Sequence, residues 1–323
     1  MKVIRIDEHG GPEVLRLREI EAPEPGPGEV RVGLHAAGLN FVDIYYRRGN
    51  IPAPLPFTLG SEGAGIVEAI GEGVEEFKPG DRVAYTLHPG SYAEANIVPA
   101  NLLIPLPDDL SFEQGAAFTL QGLTAHYLIY EYRLPKRGDT VLIHAAAGGM
   151  GLLLAQWAKH LGANVIGTVS TEEKARAVRA AGADHVIIYT ERDFVAETLR
   201  LTDGHGADLI IDGVGRTTFA GNLEAAAVRG HVVFYGQASG LPEPIHPISL
   251  IGRSISVSGG GLNNFMRTRE ELLRRAGDVI RGIREGWLRL NIDRVFPLEE
   301  AAEAQRRLES RESIGKIILK TKA

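Results

Sequence analysis

The chain has 323 residues, of which 44% are hydrophobic and 24% charged, and its formal net charge is −6. This composition is typical of a globular protein with room for two domains, and the acidic balance argues against nucleic acid as the main ligand, since phosphate backbones favour basic surfaces. The absence of cysteine excludes disulfides, thiolate catalysis and cysteine-ligated zinc sites. No apolar run approaches the roughly 20 residues of a membrane helix, and the first residues alternate like a strand rather than a secretory segment, so we expect a cytoplasmic protein with no membrane partner.

The first 120 residues are rich in glycine and proline and contain short runs that alternate between polar and apolar side chains. Such runs occur at residues 30–35, 65–70 and 82–85, and turn signals such as Pro79-Gly80-Asp81 separate them. Many short strands with turns between them predict a β-barrel-like domain. One short helix is expected at residues 40–47.

Beyond residue 121 the pattern changes to strands that alternate with helices of about ten residues, which predicts a parallel sheet covered on both faces. We predict strands at residues 141–145, 164–169, 186–188, 208–212, 231–235 and 255–258, and helices at residues 151–161, 172–181, 193–201 and 218–228. The fold class is therefore α/β, with a doubly wound parallel sheet beside the barrel-like domain. A helix to about residue 284, a helix at 298–308 and a strand at 314–319 are too few for a third core, so we expect them to complete the first domain.

A turn of small residues follows the first strand of this sheet. Its spacing is nearly that of G-x-G-x-x-G, with Ala146 at the position of the first glycine. Glycines here let the backbone approach a pyrophosphate, and the unpaired N–H groups at the start of the next helix bind anions. The candidate cofactor-binding residues of this turn are Ala147, Gly148, Gly149, Met150 and Gly151. The alternative is a tight turn whose small residues serve packing alone.

The end of the second predicted strand indicates which dinucleotide binds. An acidic residue there would bind a ribose hydroxyl and favour NAD, but this strand ends in Val169-Ser170 without an acid. Lys174 lies one helical turn further, so Ser170 and Lys174 together suit a 2′-phosphate. The prediction is NADPH. The alternative is that Ser170 caps a helix and Lys174 is solvated.

The ends of the later strands are further candidates, because ligands of open α/β sheets sit at the carboxyl ends of the strands. The candidate cofactor-binding residues at these ends are Tyr189, Val214, Phe234, Gly236 and Gln237. The alternatives are a half-buried tyrosine at a strand end and ordinary turn glycines.

Several segments together carry a resemblance to a known family over essentially the whole chain. These segments are residues 138–159 with their glycine turn, His9-Gly10-Gly11-Pro12-Glu13-Val14-Leu15, Gly38-Leu39-Asn40-Phe41-Val42-Asp43, Gly80-Asp81-Arg82-Val83, residues 111–117 and Gly122-Leu123-Thr124. With them the chain resembles the quinone oxidoreductase/zeta-crystallin family of the medium-chain dehydrogenase/reductase superfamily, in particular its bacterial NADPH-dependent members.

The resemblance implies a GroES-like catalytic domain at residues 1–121 and 264–323, a Rossmann NADP-binding domain at 122–263, and a homodimer with NADPH between the domains. It also implies that the segment with Asn40, Asp43 and Tyr45 lines the nicotinamide and substrate pocket. Tyr45 would stack on the substrate or hydrogen-bond to it, with ordinary packing as the alternative. The further cofactor-binding residues are Thr124, which would bond the nicotinamide amide, and Lys316, which would contact the cofactor or a dimer partner.

Zinc-dependent relatives carry a cysteine in the segment matching residues 36–43 and a Gly-His-Glu motif, whereas this chain has Asn40 in that segment and Gly60-Ser61-Glu62. We therefore expect no metal. The resemblance implies NADPH-dependent reduction of quinones. The alternatives are reduction of enone or alkenal double bonds and, in another class, a non-enzymatic cofactor-binding or RNA-binding role. Relatives often have an arginine where this chain has Gly259, and Arg253 is the nearest basic residue.

Overall fold

The computed structural model describes residues 1–322 as a mixed α/β structure. The strands are β1 (Lys2–Ile6), β2 (Arg16–Glu19), β3 (Glu29–Gly38), β4 (Phe57–Thr58), β5 (Glu62–Ile70), β6 (Arg82–Thr86), β7 (Ala95–Pro99), β8 (Ile104–Pro105), β9 (Thr140–Ile143), β10 (Asn164–Val169), β11 (His185–Ile188), β12 (Ala207–Asp212), β13 (Ala226–Phe234), β14 (Ser256–Gly259), β15 (Ile292–Pro297) and β16 (Lys316–Lys320). The helices are α1 (Phe41–Arg47), α2 (Phe112–Tyr130), α3 (Gly149–His160), α4 (Glu172–Ala180), α5 (Phe194–Leu201), α6 (Phe219–Ala225), α7 (Ile248–Ile251), α8 (Arg269–Arg284) and α9 (Ala301–Glu309).

The first of two compact units contains residues 1–121, 266–277 and the described residues from Ile292 onward. Its main sheet has the strand order β15-β16-β3-β5-β6-β8. In addition, β7 pairs with residues 29–33 of β3, whereas β16 pairs with residues 36–38 of that strand. A small sheet has the order β2-β1-β4. Val30, Val32 and Leu34 of β3 are fully buried, as the alternation of that strand predicts. They pack into an apolar core with Val67 and Val83 of the neighbouring strands. This is the GroES-like part of the fold.

The second unit contains residues 122–265 and 278–291. Its parallel sheet has the order β11-β10-β9-β12-β13-β14, which is the strand order of the Rossmann fold. The strands of its centre are continuous apolar runs, as burial on both faces requires, and Val141, Leu142 and Ile143 are fully buried. The predicted fold class, a Rossmann sheet with a GroES-like domain, is confirmed.

The register of this sheet brings the ends of its strands to one edge. Ile143 at the end of β9 lies between Gly167 of β10 and Ile211 of β12. Phe234 at the end of β13 lies between Asp212 and Gly259. The segments that follow these strands are therefore neighbours at the carboxyl edge of the sheet, where ligands of such sheets bind.

The long helix α2 and the short helix α7 were not predicted. The 19-residue helix α2 was missed because apolar side chains cover nearly all of its faces, so its sequence has little helical periodicity. A signal existed in the reciprocal bonds of Ser111 and Gln114, which form a capping box at its start, with N···O distances of 2.9 and 3.2 Å.

The structure describes no helix within residues 1–322 that has the length and apolar character needed to cross a membrane.

The helix predicted at residues 218–228 is wrong at its end. α6 stops at Ala225, and β13 begins at Ala226 instead of the predicted residue 231. The guanidinium of Arg253 donates to the carbonyls of Leu223, Glu224 (2.9 Å) and Ala226 (2.8 Å). A residue distant in sequence thus satisfies the carbonyls at the end of the helix, which no local pattern reveals.

Candidate active site

The glycine turn after β9 presents free backbone amides at the start of α3. Gly148 is extended (φ −70°, ψ 166°) and provides no side-chain cap, and the first helical bond runs from Leu152 N to Gly148 O at 2.9 Å. The N–H groups of Gly149, Met150 and Gly151 therefore lack an acceptor within the helix. Their donors and the positive end of the helix dipole suit an anion.

The close packing of this turn explains its glycines. A Cβ on Gly151 would lie 2.4 Å from Ala146 Cα and 2.6 Å from Ala145 O, so a side chain there would push α3 away from the strand. A Cβ on Gly167 of the next strand would lie 2.8 Å from Ala146 Cβ. The predicted turn, with Ala147 buried beneath it, thus forms a small-residue cradle that fits a pyrophosphate.

The end of β10 places a hydroxyl and an ammonium together. Lys174 Nζ donates to Ser170 Oγ at 3.4 Å, and the cap of α4 is the hydroxyl of Thr171, which accepts from Lys174 N at 3.3 Å. Ser170 therefore has no part in the cap, contrary to the alternative considered from the sequence. Tyr189 follows β11 with its N–H on Val169 O (3.0 Å), and its side chain is 48% exposed. These residues lie at neighbouring strand ends and fit a phosphate beside an open surface.

The loops after β12 and β13 are bound to each other. Val214 N donates to Asp212 Oδ1 (2.7 Å), and Val214 O accepts from both the amide and the hydroxyl of Ser239 (2.8 Å each). The backbone of Val214 is thus engaged within the protein. Among the other predicted residues, Phe234, Gly236 and Gln237 are half-buried at the same sheet edge, and Thr124 is buried on α2.

A chain of buried polar side chains after these strands was not predicted from the sequence. His144 Nε2 lies 2.6 Å from Asn222 Oδ1, and Asn222 Nδ2 donates to Asp212 Oδ2 at 2.7 Å. The other ring nitrogen of His144 lies 3.0 Å from Thr168 Oγ1. Burial lowers the pKa of His144, although the nearby Asp212 and the hydrogen bond to Asn222 oppose the shift. Polar residues directly after apolar strands were the available signal for this chain, which joins the end of β10 to the Val214 loop.

In the first unit, the start of α1 is held by a buried carboxylate. Asp43 Oδ2 accepts from Asn40 N (2.9 Å) and from the hydroxyl of Tyr92 (3.0 Å), and its Oδ1 accepts from Ser61 Oγ (2.6 Å). Burial raises the pKa of Asp43 to about 6, although these three hydrogen bonds oppose the shift. Burial and the Asp43 carboxylate raise the pKa of Tyr92 well above its ordinary value.

A second buried carboxylate, that of Glu62, binds four donors. Its Oε1 accepts from Asn40 Nδ2 (2.7 Å) and forms an ion pair with Lys316 Nζ, and its Oε2 accepts from Thr119 Oγ1 (2.7 Å) and Leu120 N (2.6 Å). Lys316 Nζ also donates to Asn40 Oδ1 at 2.8 Å. The predicted residues Asn40 and Lys316 are therefore brought together in the first unit, with Glu62 as the partner that was not proposed from the sequence.

Tyr45 and Tyr46 differ in their surroundings on α1. Tyr46 packs on the apolar core and its ring lies 5.3 Å from that of Phe57. Tyr45 is half-buried, and its carbonyl accepts from Asn50 N at 2.9 Å. Tyr46 is thus part of the apolar packing of the first unit, and substrate contact by Tyr45 stays a prediction.

The four donors to the Glu62 carboxylate include one cation, the ammonium of Lys316. Residues 1–322 contain no group of three or more His, Asp or Glu side chains that could hold a metal ion. At the Gly-His-Glu motif of zinc-dependent relatives this chain has Ser61, which bonds Asp43, and Glu62, which pairs with Lys316. The positive charge at this position is the ammonium of Lys316.

Comparison with known proteins agrees with this architecture. Residues 26–108 match the family model of the alcohol dehydrogenase GroES-like domain, and residues 149–277 match that of zinc-binding dehydrogenases. The chain is 44% identical to a quinone oxidoreductase of Pseudomonas aeruginosa, covering 98% of this chain and 99% of the relative. The chain belongs to the quinone oxidoreductase family.

Other members of the quinone oxidoreductase family extend this comparison. The crystal structure of the Escherichia coli quinone oxidoreductase in complex with NADPH superimposes with a TM-score of 0.96, at 38% identity and 99% coverage of both chains. A 2-haloacrylate reductase of Burkholderia is 40% identical over 97% of both chains. The predicted family is confirmed, and this quinone oxidoreductase family member is an oxidoreductase with a small-molecule substrate.

The buried carboxyl of Asp43 makes stability depend on pH. Its pKa is about 6 in the folded protein and 3.8 in an exposed carboxyl, so between these values the folded state holds a proton that the unfolded chain has released. Stability from this group therefore falls as pH rises through this window, by about 3 kcal/mol. Between pH 7 and pH 4, we expect the free energy of unfolding of the native protein to gain about this much relative to Asp43→Asn, measured by urea denaturation.

Asp108→Asn is the control, because the side chain of Asp108 is 98% exposed. Its difference from the native protein should not change with pH. A pH-independent difference for Asp43→Asn as well would show that Asp43 titrates normally.

Proposed function

We propose that this protein is an NADPH-dependent reductase that reduces quinones without zinc. The observation that carries the proposal is the pairing of Ser170 and Lys174 at the strand end next to the open amides of α3. A strand end with a hydroxyl and an ammonium, and no carboxylate, suits the 2′-phosphate that distinguishes NADPH from NADH. The similarity to proteins named quinone oxidoreductase supports a quinone as the substrate, and the NADPH complex of one of these relatives supports NADPH as the cofactor.

Each part of the cofactor has its residues in this proposal. The amides of Gly149, Met150 and Gly151 hold the pyrophosphate, while Ser170 and Lys174 hold the 2′-phosphate. Tyr189, Phe234, Gly236, Gln237, Thr124 and the side chain of Val214 are proposed to line the remainder. Bound NADPH supplies a hydride from its nicotinamide.

The proposed acceptors are compounds whose reduction depends mainly on how they are positioned. Quinones and enones delocalise the negative charge that arrives with a hydride, so accurate positioning of the acceptor contributes most of what catalysis requires. We propose that Tyr45 stacks on the acceptor or hydrogen-bonds to it, with Asn40 and Asp43 as its neighbours on α1. Lys316 Nζ and Ser61 Oγ are already paired with carboxylates, so neither serves as a metal ligand in this proposal.

The second candidate is reduction of a conjugated carbon–carbon double bond. It is favoured by the similarity to a 2-haloacrylate reductase, whose named substrate is an activated alkene. A non-enzymatic RNA-binding role is a weaker alternative, because the chain is acidic with a net charge of −6.

The domain boundaries at residues 121/122 and 263/264 and the cytoplasmic location stay predictions.

A panel of acceptors tests the proposed reaction. We expect oxidation of NADPH, followed by its near-ultraviolet absorbance, with benzoquinone and naphthoquinone, and slower oxidation with α,β-unsaturated carbonyl compounds. Turnover with the unsaturated carbonyls and none with the quinones would establish the second candidate instead. No turnover with either class, together with retention of AU-rich RNA in a gel-shift assay, would favour the non-enzymatic role.

The 2′-phosphate contact is tested with Lys174→Ala. Loss of a charge-assisted hydrogen bond, typically about 1.5–3 kcal/mol, predicts that the KM for NADPH rises roughly 10- to 100-fold while the KM for NADH stays unchanged. Arg179→Ala removes one positive charge from the same helix, where Arg179 pairs with Glu172, and is the matched control. Equal values for NADPH in Lys174→Ala and the native protein would exclude this contact.

We also propose a homodimer, formed through the edge of the second unit. β14 is the last strand of the parallel sheet, so one side of its backbone is open to pairing with another strand. Leu241, Ile248 and Ile251 in the preceding segment are 67–70% exposed. An open strand beside exposed apolar side chains suits a second copy of this chain, because a two-fold axis would join the two equal edges.

Light scattering after size-exclusion chromatography tests the dimer. We expect twice the mass of one chain for the native protein and the mass of a single chain for the double variant Ile248→Asp/Ile251→Asp, because two charges would be buried at the interface. Leu17→Asp changes a 40% exposed leucine on β2 and should remain dimeric. A monomeric native protein would exclude the dimer, and a dimeric double variant would exclude this surface.

A further inference from the structure

The ion pair of Lys316 and Glu62 is almost completely removed from water. The side chains are 3% and 0% exposed, and their charged groups are in direct contact. A buried carboxylate and ammonium persist only when their remaining hydrogen-bonding capacity is used, and Glu62 meets this condition with donors from Asn40, Thr119 and Leu120. The pair is therefore held in one geometry inside the first unit and is not an adaptable surface contact.

The two opposite charges of this ion pair determine the orientation of the Asn40 side-chain amide. Asn40 Oδ1 accepts from Lys316 Nζ at 2.8 Å, while Asn40 Nδ2 donates to Glu62 Oε1 at 2.7 Å. Rotating the amide by 180° would turn its NH₂ group to the ammonium and its oxygen to the carboxylate, so both contacts would become repulsive. The ion pair thus selects a single rotamer of Asn40, which no neutral partner would enforce as strongly.

Asn40 in turn lies at the start of α1, the helix that carries Tyr45. Its backbone N–H donates to Asp43 Oδ2 at 2.9 Å, and Asp43 N donates to Asn40 O at 3.1 Å. The far end of α1 is anchored separately by Arg47, which is fully buried and bonds Gln305 (2.5 Å) and Glu309 (2.6 Å). The orientation of the Asn40 amide, at the residue that caps α1, is therefore the feature that depends on Lys316.

We propose that Lys316 is a positioning residue for the reduction reaction: paired with Glu62, it holds the Asn40 amide and the first turn of α1 in the arrangement that presents Asn40 and Tyr45 to the acceptor. The inference rests on the proposed function for its catalytic consequence, whereas the ordering of α1 does not. Lys316 acts through Asn40, so it affects turnover more than cofactor affinity.

The test compares Lys316→Met with the double variant Lys316→Met/Glu62→Gln. The single variant leaves the Glu62 carboxylate buried without its cation, and its stability is expected to fall. The double variant removes both charges and is expected to recover most of the melting temperature, but not the selection of the Asn40 rotamer. Lys322→Met is the matched control, because Lys322 follows the same strand and pairs with Glu68 (2.7 Å) on the surface.

The first readout is hydrogen exchange of residues 40–47 in the protein without cofactor or acceptor. We expect faster exchange in both Lys316 variants and unchanged exchange in Lys322→Met. Unchanged exchange in the double variant would overturn the inference, and this result does not depend on any enzymatic activity. The proposed function can therefore fail in the acceptor panel while this test still decides the role of Lys316.

The second readout separates turnover from binding. Because small displacements of catalytic groups cost up to about 100-fold in rate, we expect kcat with quinones to fall roughly 10- to 100-fold in the double variant, with the dissociation constant for NADPH within about twofold of the native value. A kcat within about twofold of the native value, or a loss confined to NADPH affinity, would overturn the positioning role. Lys322→Met should retain the native kcat.

Discussion

The carboxylate of Glu62 is the constraint on which the first unit depends. An uncompensated anion at this depth would cost several kcal/mol, so the folded unit must keep its donors in place. They come from the start of α1, from the middle of α2 and from the C-terminal strand β16. Lys316 lies 276 residues from Asn40 in the chain, yet both are needed to satisfy one side chain. The C-terminal segment is therefore part of the candidate active site, since it carries the cation.

The second unit prepares its site by the opposite means. Around the glycine turn, donors are left without partners: Gly148 offers no cap, and the first amides of α3 remain open. Gly151 and Gly167 carry no side chain where they pack against Ala146, so the turn and its neighbouring strand can approach closely. Beneath the edge, the chain from His144 through Asn222 to Asp212 is connected by hydrogen bonds. A rigid, satisfied base thus supports an edge whose free donors are matched to a phosphate-bearing ligand.

How far the sequence predicted the site depended on whether a signal was local. The strand–turn–helix around Gly148 and the Ser170–Lys174 pair are each contained in a few residues, and the structure shows both at the predicted strand ends. Helix α2 has no such local signal apart from its capping box, because its faces are nearly all apolar. The end of α6 depends on Arg253, whose guanidinium comes from a later segment. Glu62 was visible as part of a motif, but its partners were not.

The sequence by itself determined the α/β class, the parallel sheet and the glycine turn, because hydrophobic periodicity and short motifs express backbone geometry directly. The family and its Rossmann and GroES-like domains followed from the resemblance of the matching segments. Only the tertiary structure decided which charges meet. It showed that Thr171 and not Ser170 caps α4, that the backbone of Val214 is already engaged, and that Lys316 is buried against Asn40 and Glu62. Such contacts join segments far apart in the chain, and their partners are selected by the desolvation cost of each buried polar group, which the one-dimensional pattern does not contain.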